Sequence, residues 1–239
     1  MRRILRNLWI ASGLLFTAWI VWGFQSTGIP PDTFTSTDTL QVAGNSFRPT
    51  AGTRNTGILF LPGGMVDPLS YAPVLRQFAA SGYPALLIPL PYRCACTDSQ
   101  IESLFAAVRA AMEAQPQTRW YLAGHSRGAM LASRFARNPP ANLEGLILLA
   151  TTHPRDFDLS ASRLRIAKIL GSSDGVATPA AARANAHLLP SATRWFEIPG
   201  ANHVQFGYYR HQLGDHTATI SRAEQQAHLQ NAIRQFLDR

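Results

Sequence analysis

Charge is scarce in this sequence, and lysine is almost absent from it. Of 239 residues only 15% are charged, whereas 46% are hydrophobic. A disordered chain would be richer in charge and poorer in apolar residues, so this composition excludes disorder. Lys168 is the one lysine, and the other basic residues behind the net charge of +8 are mostly scattered arginines. Because no zinc-finger pattern or phosphate-tracking basic run is present, the sequence predicts no nucleic-acid partner.

Cysteine is equally scarce. Cys94 and Cys96 are the only two, too few for a disulfide scaffold. One residue separates them, so a disulfide between them would be strained, although an oxidising compartment would still allow it. The pair also supplies too few ligands for a metal, and no other signal predicts a metal or cofactor. We expect a structural or redox-labile role for these cysteines.

A long hydrophobic run occurs near the N-terminus. Arg2, Arg3 and Arg6 precede an uncharged, mostly apolar stretch from Leu8 to Phe24. At about 1.5 Å per residue, a helix of this length comes close to spanning a bilayer core. The run lacks an Ala-x-Ala-like cleavage site. Residues 1–28 are therefore predicted to be an uncleaved membrane anchor rather than a cleaved signal peptide.

The charge distribution around that run predicts its orientation. The flanking arginines are expected to stay in the cytoplasm, which places the rest of the chain outside the inner membrane, in the periplasm of a bacterium. A secreted form would result if the leader were cleaved. Residues 29–38, rich in Pro, Ser and Thr, are predicted to be a linker.

Residues 39–239 alternate between strand-like and helix-like runs and predict one α/β domain. The strand-like runs are apolar on both faces, which indicates a mostly parallel sheet flanked by helices. Residues 39–49 are expected to add an antiparallel hairpin. The stretch from Thr151 to Arg163, between two predicted strands, is too short for an inserted lid domain, so the site is expected to be open.

The loop after the predicted strand Trp120–Ala123 contains Gly-His-Ser-Arg-Gly, from Gly124 to Gly128. The five-residue pattern is weak alone, but a strand before it and a helix after it are the context of a nucleophile elbow. In that turn the serine hydroxyl stands above the sheet, and glycines allow the close backbone approach. Ser126 is therefore the predicted nucleophile.

A serine nucleophile needs a base and an acid that orients it, in the chain order Ser, Asp or Glu, His. Asp174 follows the predicted strand Leu164–Leu170, and His203 follows Arg194–Ile198. Each residue alone is an ordinary loop residue. Since the carboxyl ends of parallel strands share one edge of a sheet, the three placements together predict a Ser126–Asp174–His203 triad.

Acyl transfer also needs amide donors for an oxyanion. One is expected to be the backbone N–H of Arg127, which follows the nucleophile. The other is expected in the glycine-rich loop Pro62-Gly63-Gly64-Met65. The Met65 amide is the first choice there, and the Gly64 amide is the second.

The chain resembles the compact α/β-hydrolases related to dienelactone hydrolase. The resemblance rests on the segments Leu61–Pro68, Gly124–Gly128, Gly171–Pro179 and Gly200–Gly207, and it covers nearly all of residues 39–239. It implies a lid-less serine hydrolase with the triad named above. The chain departs from the family at Ala129, where a second glycine is usual, and in the segment Pro91–Cys96.

These observations predict a hydrolase that cleaves an ester-type acyl bond, whether a carboxylic ester, a lactone or a thioester, through an acyl-enzyme. The expected partners are a small acyl substrate and, through the N-terminal helix, a membrane. Two alternatives stay open at this point: a membrane-anchored binding protein that kept the fold without activity, and an acyltransferase.

Overall fold

An eight-stranded sheet forms the centre of the domain in the computed structural model, which describes residues 2–238. The strands are β1 Leu40–Ala43, β2 Ser46–Pro49, β3 Thr56–Leu61, β4 Ala85–Leu87, β5 Arg119–His125, β6 Leu143–Leu149, β7 Arg165–Gly171 and β8 Arg194–Ile198. Their order across the sheet is β1-β2-β4-β3-β5-β6-β7-β8. The β1–β2 hairpin pairs antiparallel with β4, and every pair from β4 to β8 is parallel. This confirms the mostly parallel sheet.

Helices cover both faces of this sheet. The helices are α1 Arg2–Gly23, α2 Ala72–Ala80, α3 Asp98–Glu113, α4 Arg127–Phe135, α5 Pro179–Ala184 and α6 Arg222–Leu237. Of these, α2 and α6 pack on one face of the sheet and α3 and α4 on the other, while α1 lies outside these layers. Alternate residues of β3 separate the two layers: Ile58 packs in one buried cluster with α2 and α6, and Leu59 packs in the other with α3 and α4. Because successive strand side chains point to opposite faces, the all-apolar strands are buried from both sides.

Helix boundaries follow capping chemistry more closely than apolar spacing. Helix α3 begins at Asp98 because Thr97 and Gln100 form a capping box there. A second capping box, between Ser221 and Glu224, is present at the start of α6. Between β6 and β7, the described residues form turns and bends without a helical insert, so the structure has no lid domain.

Helix α1 is exposed, whereas the segment 29–38 packs on the domain. Helix α1 is long and apolar enough to cross a membrane, with a mean hydropathy of 1.5. A signal sequence has a similar length and hydropathy. The predicted linker 29–38 is not a free tether. Thr33 is buried, and the Arg76 guanidinium of α2 donates to the carbonyl oxygens of Thr33 at 3.2 Å and Thr35 at 2.7 Å. The segment therefore packs against α2 through its backbone.

Candidate active site

The turn from β5 into α4 has the geometry of a nucleophile elbow. Ser126 lies between the two elements with φ of 52° and ψ of −114°, a conformation that few non-glycine residues adopt. A Cβ on Gly124 would lie 2.5 Å from the Gly128 carbonyl carbon, and a Cβ on Gly128 would collide with the Leu61 carbonyl oxygen. Both glycines are thus required by close backbone packing. The Ser126 side chain makes no capping bond to α4, which leaves its hydroxyl free.

Asp174 and His203 form a buried pair in the loops after β7 and β8. The distance from His203 Nδ1 to Asp174 Oδ2 is 2.9 Å, and both side chains are fully buried. The other carboxylate oxygen, Oδ1, accepts the amides of Val176 at 2.8 Å and Ala177 at 2.7 Å. These bonds fix the carboxylate, which in turn holds the His203 ring so that Nδ1 donates and Nε2 can act as a base.

The His203 ring lies against the elbow. Its centroid is 4.5 Å from that of His125, the residue before Ser126. His203 Nε2 is buried and has no hydrogen-bond partner within residues 2–238. Leaving a buried nitrogen unpaired is costly, and an incoming hydroxyl would satisfy it. No hydrogen bond joins Ser126 and His203 within residues 2–238, and catalytic hydrogen bonds often tighten only when substrate binds.

A second carboxylate, Asp215, holds the loop that carries His203. Its Oδ1 accepts the amides of His203 at 3.1 Å and Gly175 at 3.2 Å, and its Oδ2 accepts the amide of Val204 at 2.9 Å. Asp215 therefore ties the Asp174 loop to the His203 loop. Sequence reasoning missed this role, because Asp215 follows no strand directly and its partners are backbone groups, which leave no residue pattern.

The glycine-rich loop after β3 presents one free amide beside the elbow. The Met65 N–H donates to the Arg93 carbonyl oxygen at 2.6 Å, so it is already engaged. The Gly64 N–H has no partner in the described part of the chain. A Cβ on Gly64 would lie 3.2 Å from the Arg127 Cβ, which places Gly64 next to the other predicted donor. The geometry therefore favours Gly64, the second choice from sequence, over Met65.

Tyr71 connects this loop to the elbow. Its hydroxyl accepts the Gly63 N–H at 3.1 Å and lies 2.7 Å from His125 Nδ1. Burial raises the pKa of Tyr71 and, together with nearby His203, lowers the pKa of His125 well below its ordinary value. Both groups are therefore neutral at pH 7, and a single hydrogen bond joins the Tyr71 oxygen to His125 Nδ1. His125 is completely buried and packs beside the elbow.

The loop after β4 packs on the same site through Arg127. The Arg127 guanidinium donates to the carbonyl oxygens of Cys94 at 2.9 Å and Ala95 at 2.7 Å. Cys94 and Cys96 form a disulfide within this loop. The loop also supplies the Arg93 carbonyl that engages Met65. It therefore supports both sides of the predicted oxyanion site, a function that sequence reasoning did not assign to it.

The loop after β6 is held by the single lysine. Lys168 lies inside β7, fully buried, and its ammonium nitrogen Nζ donates to the carbonyl oxygens of Thr151 at 2.5 Å and His153 at 2.9 Å. Burial lowers its pKa to about 7. His153 is neutral at pH 7, since burial first and Arg155 second lower its pKa to about 4.

An open cleft of about 400 Å³ is lined in part by Ser126. Its other lining residues come from the start of α4, the loops after β6 and β7, and helix α5: Arg127, Met130, Ala150, Thr151, Thr152, His153, Arg155, Val176, Ala177 and Ala181. A cavity of about 450 Å³ lies near the C-terminal end of α4, beside Ala136 and Leu164, away from the predicted catalytic residues. Within residues 2–238, no cluster of three His, Cys, Asp or Glu side chains is arranged to hold a metal ion.

The fold and this site define an α/β hydrolase. A model of the alpha/beta hydrolase family matches residues 57–227, and the chain belongs to that family. This confirms the α/β-hydrolase resemblance. A search of curated proteins gave no match.

Solved structures share the fold at low identity. A CIB-like hydrolase from Thermoplasma acidophilum is 16% identical, with a TM-score of 0.60 over 80% of this chain and 91% of that one. The esterase PE8 is 16% identical, with a TM-score of 0.56 over 83% and 99%. The alpha/beta hydrolase MGS-MChE2, from the metagenome of lagoon sediments at Mar Chica, Morocco, is 18% identical, with a TM-score of 0.55 over 70% and 90%.

Proposed function

We propose that this protein is a serine hydrolase that cleaves an ester-type acyl bond through a covalent acyl-enzyme. The observation that carries the proposal is the buried Asp174–His203 pair, 2.9 Å apart, whose free Nε2 belongs to a ring packed against the nucleophile elbow. A buried, oriented imidazole beside a serine in a strained turn is the arrangement that activates a hydroxyl.

In the first half-reaction, Ser126 Oγ attacks the acyl carbonyl carbon while His203 Nε2 takes the hydroxyl proton. Asp174 stabilises the imidazolium that forms, through the Nδ1–H bond. The carbonyl oxygen becomes an oxyanion and accepts the amides of Arg127 and Gly64. Each such donor contributes about 3 kcal/mol to the transition state. His203 then protonates the leaving alcohol or thiol as the tetrahedral intermediate collapses.

In the second half-reaction, water replaces the leaving group. His203 removes a proton from the water, which attacks the acyl-enzyme carbonyl, and the same oxyanion donors act again. Collapse releases the carboxylic acid and returns the proton to Ser126. The absence of a lid leaves the cleft open, which favours esters, lactones or thioesters presented at a surface over substrates that need enclosure.

A panel of short-chain esters, lactones and thioesters tests this function, with Ser126→Ala as the matched variant. We expect turnover by the native protein and a loss of about 10³-fold or more in Ser126→Ala, at an unchanged melting temperature. Retained turnover in Ser126→Ala would assign the chemistry to another group. Turnover of an activated ester only when an alcohol or thiol acceptor is added would indicate an acyltransferase.

We also propose that α1 is a retained membrane anchor, with the domain on the extracytoplasmic side. The contacts of residues 23–27 with the domain support this, because cleavage nearby would remove part of a packed structure. The basic residues before the apolar run are those expected to stay in the cytoplasm. The test is the intact mass of the protein extracted from membranes, which should include the N-terminal segment.

A further inference from the structure

Exposed hydrophobic side chains are concentrated at the end of the sheet that holds the cleft. Within residues 24–238, the large exposed ones are Phe34, Met65, Leu69, Tyr92, Val176 and Leu213. Apart from Phe34, each lies in a loop that follows the carboxyl end of β3, β4, β7 or β8. We refer to these five residues as the apolar rim. Tyr92 is 85% exposed and Leu213 is 66% exposed, so water contacts most of their surface in the isolated domain.

The C-terminal end of helix α1 is fixed to this same end of the domain by backbone hydrogen bonds. The Gly23 carbonyl oxygen accepts the Arg210 N–H at 3.0 Å, and the Phe24 carbonyl oxygen accepts the Asp67 N–H at 2.9 Å. The Thr27 N–H donates to the Tyr208 carbonyl oxygen at 2.7 Å. The chain therefore leaves the helix and enters the domain without a flexible spacer.

Side chains reinforce this connection. The Trp19 ring stacks on His211 with centroids 4.1 Å apart, and the Arg210 guanidinium lies 4.4 Å from the centre of the Trp22 ring. Gly23 is the one buried residue of the described helix, so the rest of α1 extends away from the domain. Trp and Arg at the end of an apolar helix are typical of the boundary between lipid tails and headgroups.

The contacts of this junction involve the loops that carry the rim. Asp67, which caps the turn containing Leu69, also accepts a hydrogen bond from the Ser26 hydroxyl at 3.1 Å. Arg210 and His211 lie in the same loop as Leu213. If α1 crosses a bilayer, the bilayer surface begins where α1 ends, which is next to the rim. The exposed Arg210 adds positive charge that suits anionic headgroups, whereas the nearby Arg93 is paired with Asp67 at 3.9 Å.

We propose that the apolar rim rests in the headgroup region of the bilayer that α1 crosses, and that the cleft takes an acyl lipid or lipid-like ester from that bilayer. The orientation depends on α1 being a retained anchor. The choice of substrate rests in addition on the proposed hydrolase function. In this arrangement the bilayer lies directly beside the open cleft, which no lid domain covers in residues 2–238.

Depth-dependent quenching tests the orientation on the full-length chain. Single variants Leu69→Cys and Leu213→Cys carry a fluorescent label on the rim, and Gln117→Cys carries it on an exposed turn before β5, at the opposite end of the sheet. The native cysteines are paired in a disulfide, so labelling without reductant is specific. Each protein is reconstituted in vesicles of phosphatidylcholine and phosphatidylglycerol that carry a nitroxide on the lipid headgroup, which quenches a label at headgroup depth.

We expect labels at positions 69 and 213 to lose most of their fluorescence and the label at 117 to keep it. Equal quenching at all three positions, or none at the rim, would overturn the orientation. Recovery of membrane-extracted protein that lacks its first residues would overturn it as well.

Activity measurements keep the two proposals separable. In the double variant Leu69→Asp/Leu213→Asp, we expect unchanged turnover of a water-soluble ester and a several-fold loss with a phospholipid ester in vesicles. Equal turnover of the vesicle substrate by both proteins would contradict the proposed surface, while the hydrolase function would stand. Quenching at the rim with no turnover of any ester would contradict the hydrolase function and leave the orientation intact.

Discussion

The nucleophile elbow and the loop after β4 lie at the same end of the sheet but are held by different means. At the elbow, Gly124 and Gly128 bring backbone against backbone, which forces Ser126 to a φ of 52°. The loop after β4 has no glycine, yet Tyr92, Arg93 and Ala95 all have positive φ there. Tertiary partners compensate for these conformations: the Arg127 guanidinium, the Met65 amide and a disulfide.

The elbow is held by residues of its own turn, whereas the loop after β4 is held by residues of other elements. A turn held by glycines depends on residue types that the chain must carry at fixed spacing. A turn held by an arginine on another element depends on packing that the turn's own sequence does not encode. Substitutions should therefore be far more damaging at the elbow, where backbone has nowhere to move, than in the loop after β4, where several partners share the support.

Among substitutions that test how these two regions are held, the largest effect is expected from Gly128→Ala at the elbow. The new Cβ would collide with the Leu61 carbonyl oxygen, so β3 and α4 must separate. Ester turnover should fall by at least about a hundredfold, because displacements near 1 Å are sufficient for that. Thermal unfolding should show a loss of about 1–3 kcal/mol in stability. The control is Gly13→Ala, at a position with no neighbour within 4 Å. Equal activity of the two variants would contradict the packing explanation.

A smaller effect is expected from Arg127→Met, which keeps the backbone amide but removes the hydrogen bonds to Cys94 and Ala95. We expect kcat to fall by on the order of tenfold with little change in KM, since the oxyanion site loosens while the cleft persists. Amide hydrogen exchange should increase at residues 91–96. Unchanged exchange in that loop would show that Arg127 does not support it.

Much of the fold and part of the site were predictable from sequence because, like the elbow, they depend on residues close together in the chain. The apolar strands, the capping box at Ser221 and the glycine-flanked Ser126 are local patterns with a direct physical cause. Asp215 and Tyr71 act through backbone amides, which any residue type supplies, so no residue pattern indicates them. The packing of segment 29–38 on α2 was not predictable, because composition cannot reveal that Arg76 donates to its carbonyl oxygens.

The loop after β6, like the loop after β4, is held by a side chain from another element, in this case Lys168 of β7. Its pKa is about 7 in the folded protein and 10.5 ordinarily, so between these values the unfolded chain binds more protons. Raising the pH from 7 to 10 should therefore stabilise the native protein relative to Lys168→Met, by at most about 1.4 kcal/mol per pH unit. Denaturant unfolding at several pH values measures this. Parallel pH profiles for the two proteins would show that Lys168 titrates normally.

The smallest effect is expected from Cys94→Ser/Cys96→Ser. The disulfide closes a very short loop, so its removal should cost about 1 kcal/mol of stability. The Arg127 and Met65 hydrogen bonds to the loop remain, and turnover should change only a few-fold. A loss as large as that of Gly128→Ala would mean that the disulfide, and not Arg127, holds the loop.

Labelling with a fluorophosphonate tests the central claim most directly, because the reagent bonds to a serine only when a neighbouring base has activated it. Intact mass spectrometry of the native protein should show one adduct, which peptide mapping places on Ser126. His203→Ala should lose the adduct while keeping its melting temperature. A folded native protein without the adduct, or labelling that persists in His203→Ala, would contradict the triad and favour a hydrolase fold that binds without catalysing.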